Sequence, residues 1–172
     1  MDWFLEQARL GNLFRAANQS AATVTLINTS TATGLILGNP YGSGKKLVLR
    51  DANFSFTTVP TATSIVFLAQ SVAIHQTDVT HTAAVSVYDA DGSGVSSKSV
   101  ARADSSATTP NLPVYSRILG YTPTTPATTG GITFTDYING AMILVPGTYV
   151  QISYIGAAPV GMASFTWAEV AV

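Results

Sequence analysis

The sequence contains no cysteine, which excludes disulfide bonds and thiolate metal sites. It is also poor in charge: charged residues make up 10% of the 172 residues, against about 25% in an ordinary soluble domain. The net charge of −1 leaves no basic field to gather phosphates, so we expect no nucleic-acid partner. A surface with so few charges repels its neighbours weakly, and this favours association with other subunits.

Long apolar runs are missing as well. No window offers about 18 consecutive apolar residues, so we expect no membrane span and no membrane partner. The N-terminus lacks the basic region and unbroken apolar core of a signal peptide. If the protein leaves the cell, we expect release by assembly and lysis.

Catalytic signatures are equally scarce. No Gly-x-Ser-x-Gly elbow occurs, and the nine Asp and Glu residues show no pair on an obvious strand face. We therefore predict a structural or binding protein that is not an enzyme and carries no cofactor.

The first twenty residues differ from the rest of the chain. Residues 2–10 predict a short helix, with Asp2 as N-cap, Glu6 in the first turn and Gly11 as the stop. So short a helix is marginal alone in water and needs a surface, either its own domain or a neighbouring subunit. We interpret residues 1–20 as an N-terminal arm and residues 21–172 as one β-domain.

From residue 21 onward the sequence predicts short strands and almost no helix. Ala52, Phe54 and Phe56 alternate with polar residues, the period-two signature of a half-buried strand. Strands are predicted over 21–28, 35–37, 47–58, 64–74, 84–88, 114–119, 132–134, 142–145, 148–155 and 163–172. This pattern is typical of an all-β sandwich or barrel, with a jelly roll as first choice and an immunoglobulin-like sandwich as the alternative.

The segment 103–131 is rich in Ala, Ser, Thr, Pro and Gly. We predict a long surface loop there, containing one strand at 114–119, because prolines are excluded from central strands. The prolines are Pro110, Pro113, Pro123 and Pro126. Between residues 105 and 168 the only charged side chains are Arg117 and Asp136. That stretch is the clearest candidate for contact with another subunit.

Three motifs could each be either a ligand-binding site or an ordinary turn or loop. The segment 38–46 resembles a phosphate loop but has Asn39 and Lys46 where Gly and Ser or Thr are required, which favours a hairpin connection. The segment 89–94 resembles the start of a calcium loop but lacks the final Glu, which favours a tight turn. The spacing of His75, Asp78 and His81 would suit a metal on a helix, yet the surroundings indicate a loop, so no metal is predicted.

The aromatic residues would also be compatible with a sugar-binding surface. Their faces pack on sugar rings, although core and subunit interface are the more common positions. The residues concerned are Trp3, Tyr41, Tyr115, Tyr121, Tyr137, Tyr149, Tyr154 and Trp167.

Three segments resemble small virion proteins of tailed bacteriophages. The segment 33–49, TGLILGNPYGSGKKLVL, is similar to their N-P-x-G-S-G-x-x-L-V-L region. The segments 140–147 and 164–170 are similar to their closing strands, with a Pro-Gly turn and a W-x-E-V ending. Residues 75–131 show no such pattern.

The resemblance implies a jelly-roll capsid decoration, or cement, protein. Such a protein sits on the exterior of the virion capsid after assembly in the host cytoplasm, binds the major capsid protein and often forms a homotrimer. The alternatives are a receptor- or carbohydrate-binding domain of a phage tail or fibre, and a small β-barrel enzyme. The candidate capsid or subunit contacts are Trp3, Phe4, Leu5, Leu10, Leu13, Phe14, Tyr115 and Tyr121.

Overall fold

The computed structural model describes residues 2–58, 60, 62–122 and 132–172. These residues form a short helix and a series of strands. In chain order they are α1 (Trp3–Arg9), β1 (Leu13–Ala17), β2 (Ala22–Thr23), β3 (Thr25–Leu26), β4 (Thr31–Asn39), β5 (Lys45–Thr58), β6 (Ser64–Gln70), β7 (Thr80–Val85), β8 (Val87–Asp89), β9 (Arg102–Thr108), β10 (Val114–Thr122), β11 (Thr133–Tyr137), β12 (Ile143–Leu144), β13 (Thr148–Gly156) and β14 (Val160–Ala171).

The strands form two sheets that pack against each other. Sheet A has the order β11-β5-β14-β1-β8, and sheet B has the order β10-β6-β13-β4-β9-β7. Four antiparallel pairs are nested in the sequence, so that each pair lies between the two strands of the pair before it. They are β1 with β14, β4 with β13, β5 with β11 and β6 with β10. Successive pairs alternate between the two sheets, so the chain wraps the core as a folded ribbon. The predicted jelly-roll sandwich is confirmed.

The core lies between the inner faces of the two sheets. The alternation that predicted β5 and β13 directs Phe54 and Phe56 inward from one sheet and Val150 and Ile152 inward from the other. Each such side chain contributes about 1.5–3 kcal/mol when fully buried. Other large residues of this core are Phe14, Leu35, Leu37, Leu47, Leu49, Leu68, Phe165 and Trp167.

The N-terminal segment belongs to the sandwich. α1 begins after Asp2, whose carboxylate accepts a 3.0 Å hydrogen bond from the Phe4 amide, as the capping pattern predicted. β1 then pairs with β14 and β8 inside sheet A, and Phe14 is a core residue. Residue 20 is therefore not a boundary between an arm and the domain. Five residues of β1 are too short a pattern to separate from the end of a helix.

Two connections also differ from their predictions. The segment 21–28 is two short strands in different sheets, because the chain crosses the core edge at the buried Val24. The segment 38–46 joins β4 of sheet B to β5 of sheet A, so it is an arch and not a hairpin. Asn39 holds the arch by donating to the carbonyls of Lys45 (2.8 Å) and Leu144 (2.9 Å).

Residues 71–113, called here the insertion, separate β6 from β10. The insertion adds β9 and β7 to sheet B beyond β4, and β8 to sheet A beyond β1. The predicted loop over 103–131 is thus wrong for β9, which pairs on both sides with β4 and β7. Its small side chains, such as Ala103, Ser105 and Ala107, give too weak an apolar alternation to reveal a strand. Pro110 and Pro113 do lie outside strands, whereas Pro123 and Pro126 lie outside the described residues.

A buried carboxylate fastens the insertion to the jelly roll. Glu169 on β14 is 2% exposed and forms a salt bridge with Lys45 at 3.0 Å. It also accepts hydrogen bonds from the Ser99 hydroxyl and from the amides of Val100 and Ala101. A buried charge is tolerated when its lone pairs are filled in this way.

Candidate functional site

β10 lies at the edge of sheet B and presents large apolar side chains to solvent. Its pairing with β6 contains two bulges, between Tyr115 and Arg117 and between Ile118 and Gly120. Each bulge inserts one extra residue, so the outward positions recur every three residues instead of every two. Tyr115, Ile118 and Tyr121 therefore all face outward, and all three are more than half exposed.

The neighbouring strands extend this apolar surface. Tyr121 is directly opposite Ile65 on β6, and Ile65 is opposite Ile155 on β13. Because directly paired residues share a face, these three side chains form one row across three strands. With Tyr115 and Ile118 they make up what we call the β10 patch.

One aromatic contact positions Tyr115 within the β10 patch. Ile118 is opposite Phe67, which is buried, and the Phe67 ring meets the Tyr115 ring edge to face at 5.4 Å. Contacts of this kind contribute about 0.5–1.5 kcal/mol beyond burial. The Tyr115 side chain is thereby positioned while half of it remains in solvent.

The charges near the β10 patch neutralise each other. Arg117 donates two hydrogen bonds to Asp136 on β11, one from Nη2 at 2.9 Å and one from Nε. The hydrogen bond raises the pKa of Arg117 above its ordinary value. Since these are the two charged residues of the stretch 105–168, that stretch presents no unpaired charge. The stretch 105–168 thus includes β10, an edge strand that carries the exposed Tyr115, Ile118 and Tyr121.

α1 packs on the outer face of sheet A at one end. Phe4 is buried against Leu13 and Ala168, with Val48 beside them. Trp3, Leu5 and Leu10 remain exposed on the helix.

The candidate contact residues fall into two groups. Trp3, Leu5, Leu10, Tyr115 and Tyr121 are exposed, which a contact with another protein requires. Phe4, Leu13 and Phe14 are buried inside the chain and are structural. Sequence reasoning missed Ile65, Ile118 and Ile155, which resemble core residues until the strand register shows which face they occupy.

His75, Asp78 and His81 each form a different contact in the fold. The Nδ1 atom of His81 pairs with the fully buried Asp104 on the neighbouring strand. Asp78 accepts a 2.7 Å hydrogen bond from the Tyr41 amide, and the His75 amide donates to Gly147. Within the described ranges no three His, Asp or Glu side chains come together as metal ligands.

The segment 89–94 is a tight turn. Asp91 accepts a 2.8 Å hydrogen bond from the Ser93 amide, and the Ser93 hydroxyl donates to Asp89 at 3.1 Å. Hydrogen bonding to Ser93 lowers the pKa of Asp91. The two hydrogen bonds to and from Ser93 close the turn.

No protein-family model, curated protein or solved structure matches this chain. The described helix has seven residues, and the described part of the chain contains no helix with the length and apolarity of a membrane span.

Proposed function

We propose that this chain is a non-enzymatic structural protein of a bacteriophage virion, which decorates the outside of the capsid and stabilises it. The observation that carries the proposal is the β10 patch, a contiguous row of exposed apolar side chains with no unpaired charge beside it. Apolar patches of this kind mark interaction sites on soluble proteins.

The composition of the β10 patch suits a protein partner. Tyrosine supplies large contact area with few rotatable bonds and is enriched at the centres of interfaces. The two bulges twist the edge of β10, which discourages open-ended pairing of its backbone with other strands. The patch is thus suited to side-chain contact with the shell or a neighbouring subunit, and not to fibre formation.

Repetition on a lattice strengthens such contacts. A capsid offers many identical sites, and an oligomer that engages several of them binds far more tightly than one copy would. The resemblance to cement proteins leads us to expect a trimer.

The test is binding to cognate capsid particles. The purified chain is mixed with particles built from the major capsid protein, the particles are sedimented, and the bound chain is counted per particle. We expect saturable binding in a fixed ratio to capsid subunits, and a higher melting temperature of the decorated particles.

Light scattering of the free chain adds the oligomeric state. A trimer supports the lattice interpretation. A compact monomer at high concentration that also fails to sediment with the particles would overturn the proposal.

A further inference from the structure

The outer face of sheet A carries an ordered row of side chains unlike the β10 patch. Cross-strand register places one residue from each of five adjacent strands in the row. Since neighbouring strands lie about 4.8 Å apart, the row is about 19 Å long. From β8 to β11 its members are Tyr88, Arg15, Thr166, Asp51 and Tyr137.

A groove opens at the β8 end of this row. It has a volume of about 490 Å³ and is lined by Arg15, Gln19, Tyr88, Ser164 and Thr166, together with small alanines. This volume lies within the range of small-molecule binding sites, which is about 300–1,000 Å³. Its lining thus consists of one cation, one aromatic ring and three uncharged polar groups.

Arg15 is the electrostatic centre of the groove. Arg9, Arg50 and Arg117 each form a salt bridge, whereas Arg15 forms none with any described residue. A guanidinium group binds carboxylates through two parallel hydrogen bonds. The groove therefore suits a ligand that brings its own carboxylate.

The remaining polar groups of the groove are suited to hydroxyls. Gln19 donates from Nε2 to the Ala17 carbonyl at 2.9 Å, and this contact orients the side chain. Ser164 and Thr166 can each donate to or accept from a hydroxyl.

The acidic member of the row is already compensated. Asp51 lies 3.8 Å from the Arg50 guanidinium and accepts a 3.1 Å hydrogen bond from Asn53. Its charge is therefore balanced locally and does not cancel the attraction of Arg15 for an anion.

Aromatic rings stand at both ends of the row. Tyr137 is 67% exposed, and Tyr88 forms a wall of the groove. Aromatic faces pack against the C–H faces of sugar rings, and two rings about 19 Å apart would hold separate units of one extended chain.

From this arrangement we infer that the outer face of sheet A binds an acidic saccharide, with a uronate or sialate carboxylate on Arg15 and sugar rings against Tyr88 and Tyr137. Nucleic acid fits poorly, because the groove holds one cation, Arg15, and the chain has a net charge of −1, which cannot neutralise a run of phosphates. A tightly bound protein fits poorly too, because the row between the tyrosines lacks apolar anchors.

The test is a titration followed by NMR or calorimetry. The probes are a hyaluronan tetrasaccharide, an oligogalacturonate and sialyllactose, each compared with a neutral counterpart that lacks the carboxylate. We expect at least one acidic probe to bind, and its neutral counterpart to bind more weakly by at least about tenfold, which is about 1.4 kcal/mol.

Three variants locate the binding site. Arg15→Gln should weaken binding of the acidic probe by at least about tenfold, and Tyr137→Ala should weaken it several-fold. Arg102→Gln is the matched control, since Arg102 is exposed, forms no salt bridge with a described residue and lies on sheet B. It should leave binding unchanged.

The inference is overturned if none of the acidic probes binds at millimolar concentration. It is also overturned if Arg15→Gln binds as tightly as the unmodified chain. Equal unfolding midpoints for the three variants would establish that any lost binding is not lost folding.

Discussion

The two outer faces of the sandwich are built by the same strand geometry but have opposite chemistry. Sheet A presents Ser, Thr, Asn, Asp and Arg side chains between two tyrosines, and α1 covers one end of it. Sheet B presents the apolar β10 patch at one edge. Tyr121 and Tyr137 make the contrast concrete, because they are almost equally exposed, at 65% and 67%, yet stand among isoleucines in one case and polar residues in the other.

This comparison shows that exposure alone does not define a binding surface. The neighbouring side chains differ: Tyr121 lies opposite the apolar Ile65, whereas Tyr137 lies opposite the charged Asp51. This difference is the basis on which we propose protein contact for sheet B and saccharide contact for sheet A.

The largest expected effect comes from placing a charge in the β10 patch. Tyr121→Asp should weaken capsid binding by at least about 2 kcal/mol, or roughly 30-fold, because it removes an anchor and buries a carboxylate in the contact. Co-sedimentation with capsid particles measures the loss. Tyr137→Asp is the matched control and should bind capsids normally; equal losses in both variants would erase the distinction between the faces.

The shape of β10 should depend on a glycine within the strand, Gly120. A Cβ atom on Gly120 would lie 2.4 Å from the Phe134 ring, so Gly120→Ala should destabilise the fold by about 1–3 kcal/mol. A Cβ atom on Gly38 meets nothing closer than 3.7 Å, which makes Gly38→Ala the control with a smaller cost. Urea unfolding compares the two, and an unchanged midpoint for Gly120→Ala would contradict the packing described for β10.

Salt should affect the two faces differently. Raising the salt concentration from about 50 mM to about 500 mM should weaken saccharide binding at Arg15 several-fold, because the added ions screen the charge of the guanidinium. Contact through the β10 patch should persist or strengthen, because it is apolar. Calorimetry on the saccharide and sedimentation with capsids provide the two measurements. A parallel loss of both would indicate that the β10 contact is also electrostatic.

The smallest expected effect is a loss of folding stability at alkaline pH, and it comes from a buried residue on sheet B, Tyr149. Tyr149 is buried there, its hydroxyl donates to the Asn111 carbonyl at 2.7 Å, and burial raises its pKa to about 12. In the unfolded chain a tyrosine ionises near pH 10. The stability due to this difference is complete below about pH 10 and declines as the pH rises towards about 12.

Phenylalanine provides the test of that pH dependence. Tyr149→Phe cannot ionise, so its unfolding free energy should fall less steeply than that of the unmodified chain between about pH 10 and pH 12. Urea unfolding across this range measures both slopes. Identical slopes would show that Tyr149 is accessible to alkali in the folded protein.

Local signals in the sequence predicted much of the fold. Asp2 caps α1 as expected, because capping depends on residues a few positions apart. β5 and β13 follow from their alternation. β9 was missed because small side chains give no apolar pattern, and β1 because it follows α1 so closely.

The candidate sites were predicted only in part. Scarcity of charge pointed to Tyr115 and Tyr121, which do lie in the β10 patch. Ile65 and Ile155 join them only through pairing across β6, a register that no local pattern encodes. The row on sheet A was invisible for the same reason, because its five residues are spread from position 15 to position 166.

The central claim is that sheet B, and not sheet A, meets the capsid. Hydroxyl-radical labelling of Tyr121 and Tyr137, with and without capsid particles, tests it most directly because the two side chains start from nearly equal exposure. We expect oxidation of Tyr121 to fall sharply on the particles while oxidation of Tyr137 stays unchanged. Protection of Tyr137 alone, or of neither tyrosine, would contradict the account.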